Sequence, residues 1–143
     1  MEGEVIPLSQ VEDPVFSEEM LGKGVAIRPS GNRVVSPIDG TVSQMFDTGH
    51  AVSLISADGV ELLIHVGLNT VSLKGEYYVI RAQNNDKIKT GDVLIEFDRL
   101  GIAAAGYDTV TPIVICNFAH YRRFDIQTGK VVKVGEEIII LEK

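Results

Sequence analysis

The stretch Thr48-Gly49-His50-Ala51-Val52-Ser53-Leu54 runs through Ser56-Ala57-Asp58-Gly59 into Val60-Glu61-Leu62-Leu63-Ile64-His65-Val66-Gly67, and its reading decides the fold. Two apolar runs joined by Asp58-Gly59 predict an antiparallel hairpin, because glycine supplies the positive φ of a tight turn. In the second run Val60, Leu62, Ile64 and Val66 share one face of a period-two strand, while Glu61, Leu63 and His65 share the other. His65 therefore points away from the main core. His50 rides on the neighbouring strand, so two of the three histidines can face each other across the hairpin. A lone outward histidine is most often a plain polar residue; a pair on adjacent strands points to chemistry. Neutral imidazole is a nucleophile that titrates near neutrality, so the pair suits transfer of a charged group, proton exchange or metal binding.

Outward from this hairpin the chain is a series of short strands punctuated by glycine. Upstream these are Val25–Ile27, Arg33–Val35 and Gly40–Met45, with Ala51–Ser56 and Val60–Val66 as the hairpin itself. Downstream, strands are expected at Thr70–Leu73, Tyr77–Arg81, Lys87–Ile88, Val93–Phe97, Pro112–Cys116, Val131–Val132 and Glu137–Leu141. Val15 to Gly22 reads as a helical turn with Ser17 as its cap and Gly22 as its stop. A second short helix is predicted from the Asp98 cap to Gly106. Residues 1–14 read as a lead-in, with Val5-Ile6-Pro7-Leu8 as an edge strand, since Pro7 and Pro14 cannot donate to a central ladder. Many short strands and one or two short helices predict an all-β fold, an antiparallel sandwich or barrel, in a single domain over 1–143. A weak echo relates Asp86–Phe97 to Lys130–Leu141 and reads as a recurring hairpin, not a solenoid. Biotinyl and lipoyl carriers use similar turns, but no lysine here stands at the hairpin tip that such carriers need.

Composition narrows the function. Thirteen Lys and Arg against twenty Asp and Glu give a net charge of −7, which argues against nucleic acid and anionic membrane surfaces and favours a basic partner. No apolar run reaches the length of a membrane span, and Met1-Glu2-Gly3-Glu4 is unlike a signal peptide. The single cysteine, Cys116, excludes an internal disulfide; it ends an apolar run and reads as a small buried core residue. His120, in Phe118-Ala119-His120-Tyr121, reads as a solvated surface residue. Gly22-Lys23-Gly24 lacks the remainder of a phosphate-binding loop, so ATP is not the expected phosphoryl donor.

The run Gly59-Val60-Glu61-Leu62-Leu63-Ile64-His65-Val66-Gly67-Leu68-Asn69-Thr70-Val71-Ser72-Leu73-Lys74-Gly75 closely resembles the active-site signature of glucose-type IIA domains of the bacterial sugar phosphotransferase system. So do Ser36-Pro37-Ile38-Asp39-Gly40-Thr41-Val42, the triplet Thr48-Gly49-His50, and Thr111-Pro112. The resemblance runs from about Val15 to Lys143. It implies a cytoplasmic phosphocarrier, free or as the soluble domain of a membrane permease. In that role His65 accepts a phosphoryl group from the histidine-phosphorylated carrier HPr and passes it to the cysteine of a IIB domain. His50 would stabilise the phosphoryl oxygens, and Thr48 would fix the His50 ring through its other nitrogen. Gly67 would allow close backbone approach.

Phe46, Leu63, Leu68 and Val71 are candidates for an apolar docking ring around the histidines. Relatives commonly carry aspartate where this chain has Asn69, which weakens the case for a salt bridge to HPr there; Glu76, Asp39 and Asp47 are acidic residues that could compensate. No cofactor is implied. Zinc on His50 and His65, with Glu61 as the best third ligand, is a rival reading, and a purely regulatory domain that binds partners according to phosphorylation state is another. The segment Ala104-Ala105-Gly106-Tyr107-Asp108-Thr109 is more similar to relatives of the β-glucoside, sucrose and trehalose class than to the stand-alone glucose protein.

Overall fold

A computed structural model describes residues 1–117 and the backbone of 123–126, 131–132 and 139–142. His120, the middle of the second copy of the hairpin echo, and the start of the expected strand Glu137–Leu141 lie outside the described residues.

The predicted hairpin forms. Strand β5 (Ala51–Ser56) pairs antiparallel with β6 (Glu61–His65), with Leu54 opposite Leu62 and Ala51 opposite His65. The turn closes through the Ser56 amide to the Val60 carbonyl at 2.9 Å, and Gly59 holds φ 88°. Beside the hairpin, β4 (Gly40–Met45) pairs with β5 on one side and β10 (Thr111–Ile115) with β6 on the other. The sheet continues through β2 (Lys23–Pro29) and β1 (Gly3–Pro7) to β12 (Val131–Val132), and ends at its other edge on β8 (Lys87–Ile88). A second sheet orders β3 (Arg33–Val35), β9 (Val93–Phe97) and β7 (Tyr78–Ile80), and β11 (Arg123–Ile126) pairs with β13 (Ile139–Glu142).

Every strand pairing described is antiparallel, and the fold is all-β with two short α-helices. Both larger sheets contribute to one core, in which Ile27, Leu54 and Ile64 of the first meet Val34, Ile95 and Phe97 of the second. Among the described residues no helix is long and apolar enough to cross a membrane.

Four local expectations are corrected. The opening strand is not left at the margin: β1 pairs with β2 over its whole length and with β12 at Gly3 and Glu4, and Pro7 is tolerated because it stands at the strand's last position. Helix α1 spans Pro14–Ser17, one turn earlier than the Ser17 cap implies; the cap is Asp13, whose carboxylate accepts the Val15 amide at 3.0 Å, and Pro14 occupies the first helical position. Thr70–Leu73 is a 3₁₀ turn instead of a strand, entered through Asn69 at φ 59° and left through Lys74 at φ 54°. Cys116 is exposed because β10 ends one residue before it. The other helix is as expected: α2 (Arg99–Ala104) is capped by Asp98, which accepts the Gly101 amide at 3.0 Å.

Candidate functional site

His65 is the last residue of β6 and His50 stands immediately before β5, so both lie at one end of the hairpin. Their rings meet edge to face, with centroids 5.0 Å apart. His65 takes its direction from the pleat: Leu62 and Ile64 are buried, whereas Leu63 and His65 are half-buried on the other face. His50 takes its direction from a turn, in which the Gly49 amide donates to the Phe46 carbonyl at 2.8 Å and Gly49 adopts φ 71°. A side chain at Gly49 would press on Tyr78 and Ile80, each 3.1 Å from the added carbon.

Each ring is fixed through Nδ1. The His65 Nδ1 lies 2.7 Å from the Gly67 carbonyl oxygen. A carbonyl can only accept, so this bond places the proton on Nδ1 and leaves Nε2 with a free lone pair. Gly67 makes the contact through φ 87°; a Cβ there would fall 2.5 Å from the Thr70 methyl and 3.0 Å from the Asp108 carbonyl oxygen. The His50 Nδ1 is hydrogen-bonded to the Thr48 hydroxyl. With the hydroxyl as donor, His50 carries its proton on Nε2 and can present a donor beside His65.

Both imidazoles are neutral at pH 7. Burial holds His50 down at about 4, with a smaller contribution from the His65 charge. Burial also keeps His65 below the ordinary value, against the Gly67 bond and the Asp13 carboxylate, which pull upward. The arrangement is a ready nucleophile: His65 has no proton to lose from Nε2 before it attacks.

The surroundings divide the expected docking residues. Phe46 is half-buried with its ring 5.5 Å from His50, and Val71 is 54% exposed. Leu63 is half-buried against a second apolar cluster that contains Phe16, Leu68, Val110 and Val114. Leu68, at 6% exposed, is packed within that cluster and presents little surface to a partner. The sequence also gave no sign of Phe16, whose ring lies 5.2 Å from His65, or of Asp13, whose carboxylate acts on the same imidazole. Both come from the segment around α1, far from His65 in sequence, and only tertiary packing brings them there. Of the acidic residues considered as substitutes for the aspartate, Asp39 accepts the Thr90 amide at 2.8 Å, and Glu76 and Asp47 are exposed.

The pair falls short of a catalytic zinc site, which uses three protein ligands. Glu61 is at the far end of β6, four residues or about 13 Å along the strand from His65. Among the described residues no third His, Cys, Asp or Glu joins the two histidines.

Comparison with known proteins agrees with this architecture. Residues 1–121 match the family described as phosphoenolpyruvate-dependent sugar phosphotransferase system, EIIA 1. The β-glucoside-specific EIIBCA component of Dickeya chrysanthemi is 48% identical over 130 residues, covering 90% of this chain and 21% of that protein. The chain thus spans about a fifth of that multicomponent relative. The glucose-specific EIIA component of Buchnera aphidicola is 41% identical over 140 residues, covering 98% of this chain and 86% of that one. The solved structure of glucose permease IIA from Mycoplasma capricolum superposes with a TM-score of 0.88 at 33% identity, over 96% of this chain and 89% of that one. The family match over residues 1–121, with relatives of this identity along almost the whole chain, shows that the protein belongs to the EIIA 1 family of the phosphoenolpyruvate-dependent sugar phosphotransferase system.

Proposed function

We propose that this phosphotransferase component is a phosphocarrier that accepts a phosphoryl group from phospho-HPr on Nε2 of His65 and passes it to the cysteine of a IIB domain. The observation that carries the reading is the Nδ1–Gly67 hydrogen bond, which leaves one nitrogen of a neutral, half-buried imidazole free to attack. The Nε2 lone pair forms the new N–P bond as the donor's N–P bond breaks, and that electron pair returns to the donor imidazole. The His65 ring acquires positive charge, which the Gly67 carbonyl stabilises through the retained Nδ1–H. His50, with its ring 5.0 Å away, offers Nε2–H to the phosphoryl oxygens, and Thr48 holds it in that tautomer. Positioning and preorganised donors are what phosphoryl transfer chiefly asks of a protein. In onward transfer the IIB thiolate attacks phosphorus and the bonding pair returns to Nε2.

Phe46, Leu63 and Val71 form the apolar part of the docking surface, and the acidic chain meets a basic donor. The final acceptor belongs to the β-glucoside class in this reading. Support comes from the 48% identity to the β-glucoside-specific relative against 41% to the glucose-specific one, in line with the segment 104–109. Transfer of label from phospho-HPr, followed by phosphopeptide mapping, tests the assignment. Label is expected on His65 alone, and a stable His65→Ala variant that labels normally would overturn it.

A further inference from the structure

One carbonyl near the site receives two hydroxyls. Thr70 donates through Oγ1 to the Val66 oxygen at 2.7 Å, and Tyr78 donates through its phenol to the same oxygen at 2.8 Å. A carbonyl has two lone pairs, so this acceptor is saturated. Thr70 is fully buried, and burial pushes the Tyr78 phenol up, which keeps it a donor throughout the ordinary pH range. The other end of the same peptide is also held, since the Gly67 amide donates to the Val110 carbonyl at 3.1 Å. One residue back, the Val66 amide donates to the His50 carbonyl at 2.6 Å, which ties the strand carrying one histidine to the other.

The Val66–Gly67 peptide is therefore fixed in orientation from both ends. With that plane fixed, the φ of 87° at Gly67 sets the start of the next peptide, which the Leu68 amide holds by donating to the Asp108 carbonyl at 3.0 Å, and the Gly67 carbonyl of that peptide accepts the Nδ1–H of His65. Rotation of the Val66–Gly67 plane by a few tens of degrees would pull the Gly67 carbonyl off line against the Leu68–Asp108 bond and loosen its hold on the imidazole. Neither hydroxyl touches the reacting atoms, and the docking and transfer chemistry described above does not use them.

We propose that Thr70 and Tyr78 are positioning residues for the phosphoryl acceptor: their hydroxyls lock the Val66–Gly67 peptide so that its neighbouring carbonyl holds His65 Nδ1–H and leaves Nε2 as the sole acceptor nitrogen. The inference rests on the reading of His65 as acceptor. Two measurements on full-length Thr70→Val, Thr70→Ser and Tyr78→Phe separate the two ideas. Nitrogen-15 NMR of the unphosphorylated imidazoles reports the His65 tautomer without any transfer reaction. The rate of label uptake from phospho-HPr reports function.

Thr70→Val and Tyr78→Phe should show a mixed His65 tautomer and uptake slowed about tenfold, the rate equivalent of one buried hydrogen bond. Thr70→Ser, which keeps the hydroxyl, should stay near wild type in both. If Thr70→Val does not fold, Tyr78→Phe decides alone. A folded Val or Phe variant that keeps the pure Nδ1–H tautomer overturns the proposal, even if uptake slows, because a merely structural role predicts that result. A mixed tautomer with undiminished uptake overturns the link to transfer. Wild-type protein that takes no label on His65 would defeat the carrier reading, while the tautomer measurement still decides whether the hydroxyls position the ring.

Discussion

Lowering the pH from 7 to 5 should cost this protein stability through a residue at its functional site. Unfolded, His50 takes up a proton at its ordinary value of 6.5; folded, it resists until about 4 because burial penalises the imidazolium. Between those values the unfolded state binds more protons, so the stability is fully present above about 6.5 and is lost as pH falls towards 4. At pH 5 the loss from His50 alone comes to about 2 kcal/mol, and His65, lowered in the same direction, adds to it. That is a sizeable part of the 5–15 kcal/mol typical of a domain, roughly stated. Urea unfolding of wild type and His50→Gln at pH 7, 6 and 5 measures it. The glutamine variant should lose markedly less stability over this range, because the group held lowest by burial is gone. Parallel stability curves for the two proteins would refute the reasoning, since they would mean that His50 titrates alike in the folded and unfolded states.

The site's division of labour gives the next expectation. His50→Gln should still accept phosphoryl groups from phospho-HPr, since the amide can donate, but pass them on about a hundredfold more slowly, because it cannot share a proton with the departing phosphoryl group as an imidazole can; accumulation of phosphoprotein in a coupled IIB assay checks this. Gly67→Ala should destabilise the fold by on the order of 2 kcal/mol or more through a strained positive φ and a clash with Thr70, read by thermal unfolding. The transfer rate from phospho-HPr should fall as salt rises from 0.05 to 0.5 M, as screening over about 10 Å or less weakens attraction to a chain of net charge −7. A flat salt profile would assign docking to the apolar residues instead.

What was legible in the sequence followed from period and turn chemistry. Alternation in β6 correctly separates Leu62 and Ile64 from Leu63 and His65, because a pleated strand leaves no other choice once one face is buried. Asp58-Gly59 marks the hairpin for an equally local reason, and Asp98 marks α2. The misses are places where a neighbour overrides the local signal. Thr70–Leu73 has the β-branched look of a strand, yet Asn69 enters the left-handed region and the Thr70 hydroxyl finds the Val66 carbonyl, which curls the segment into a 3₁₀ turn. Ser17 is a plausible cap, but Asp13-Pro14 starts the helix earlier. Leu68 looked like a surface residue beside the histidine and is instead packed inward with Phe16 and Val110. The contact of Phe16 with His65 joins residues 49 positions apart in sequence, and no periodicity within either segment encodes it. The meeting of the two imidazoles was legible as a juxtaposition, and the resemblance implied the Thr48 bond to His50; the Gly67 carbonyl bond that sets the His65 tautomer is a property of the folded chain.

The central claim is that one nitrogen of one residue receives the phosphoryl group, and direct mapping tests it. Protein labelled by phospho-HPr, digested under alkaline conditions that preserve phosphohistidine and analysed by mass spectrometry with phosphorus–nitrogen NMR, should carry a single phosphoryl group on Nε2 of His65. A stable His65→Ala variant should carry none. Label on His50, on Nδ1 of His65, or undiminished in His65→Ala would contradict the account.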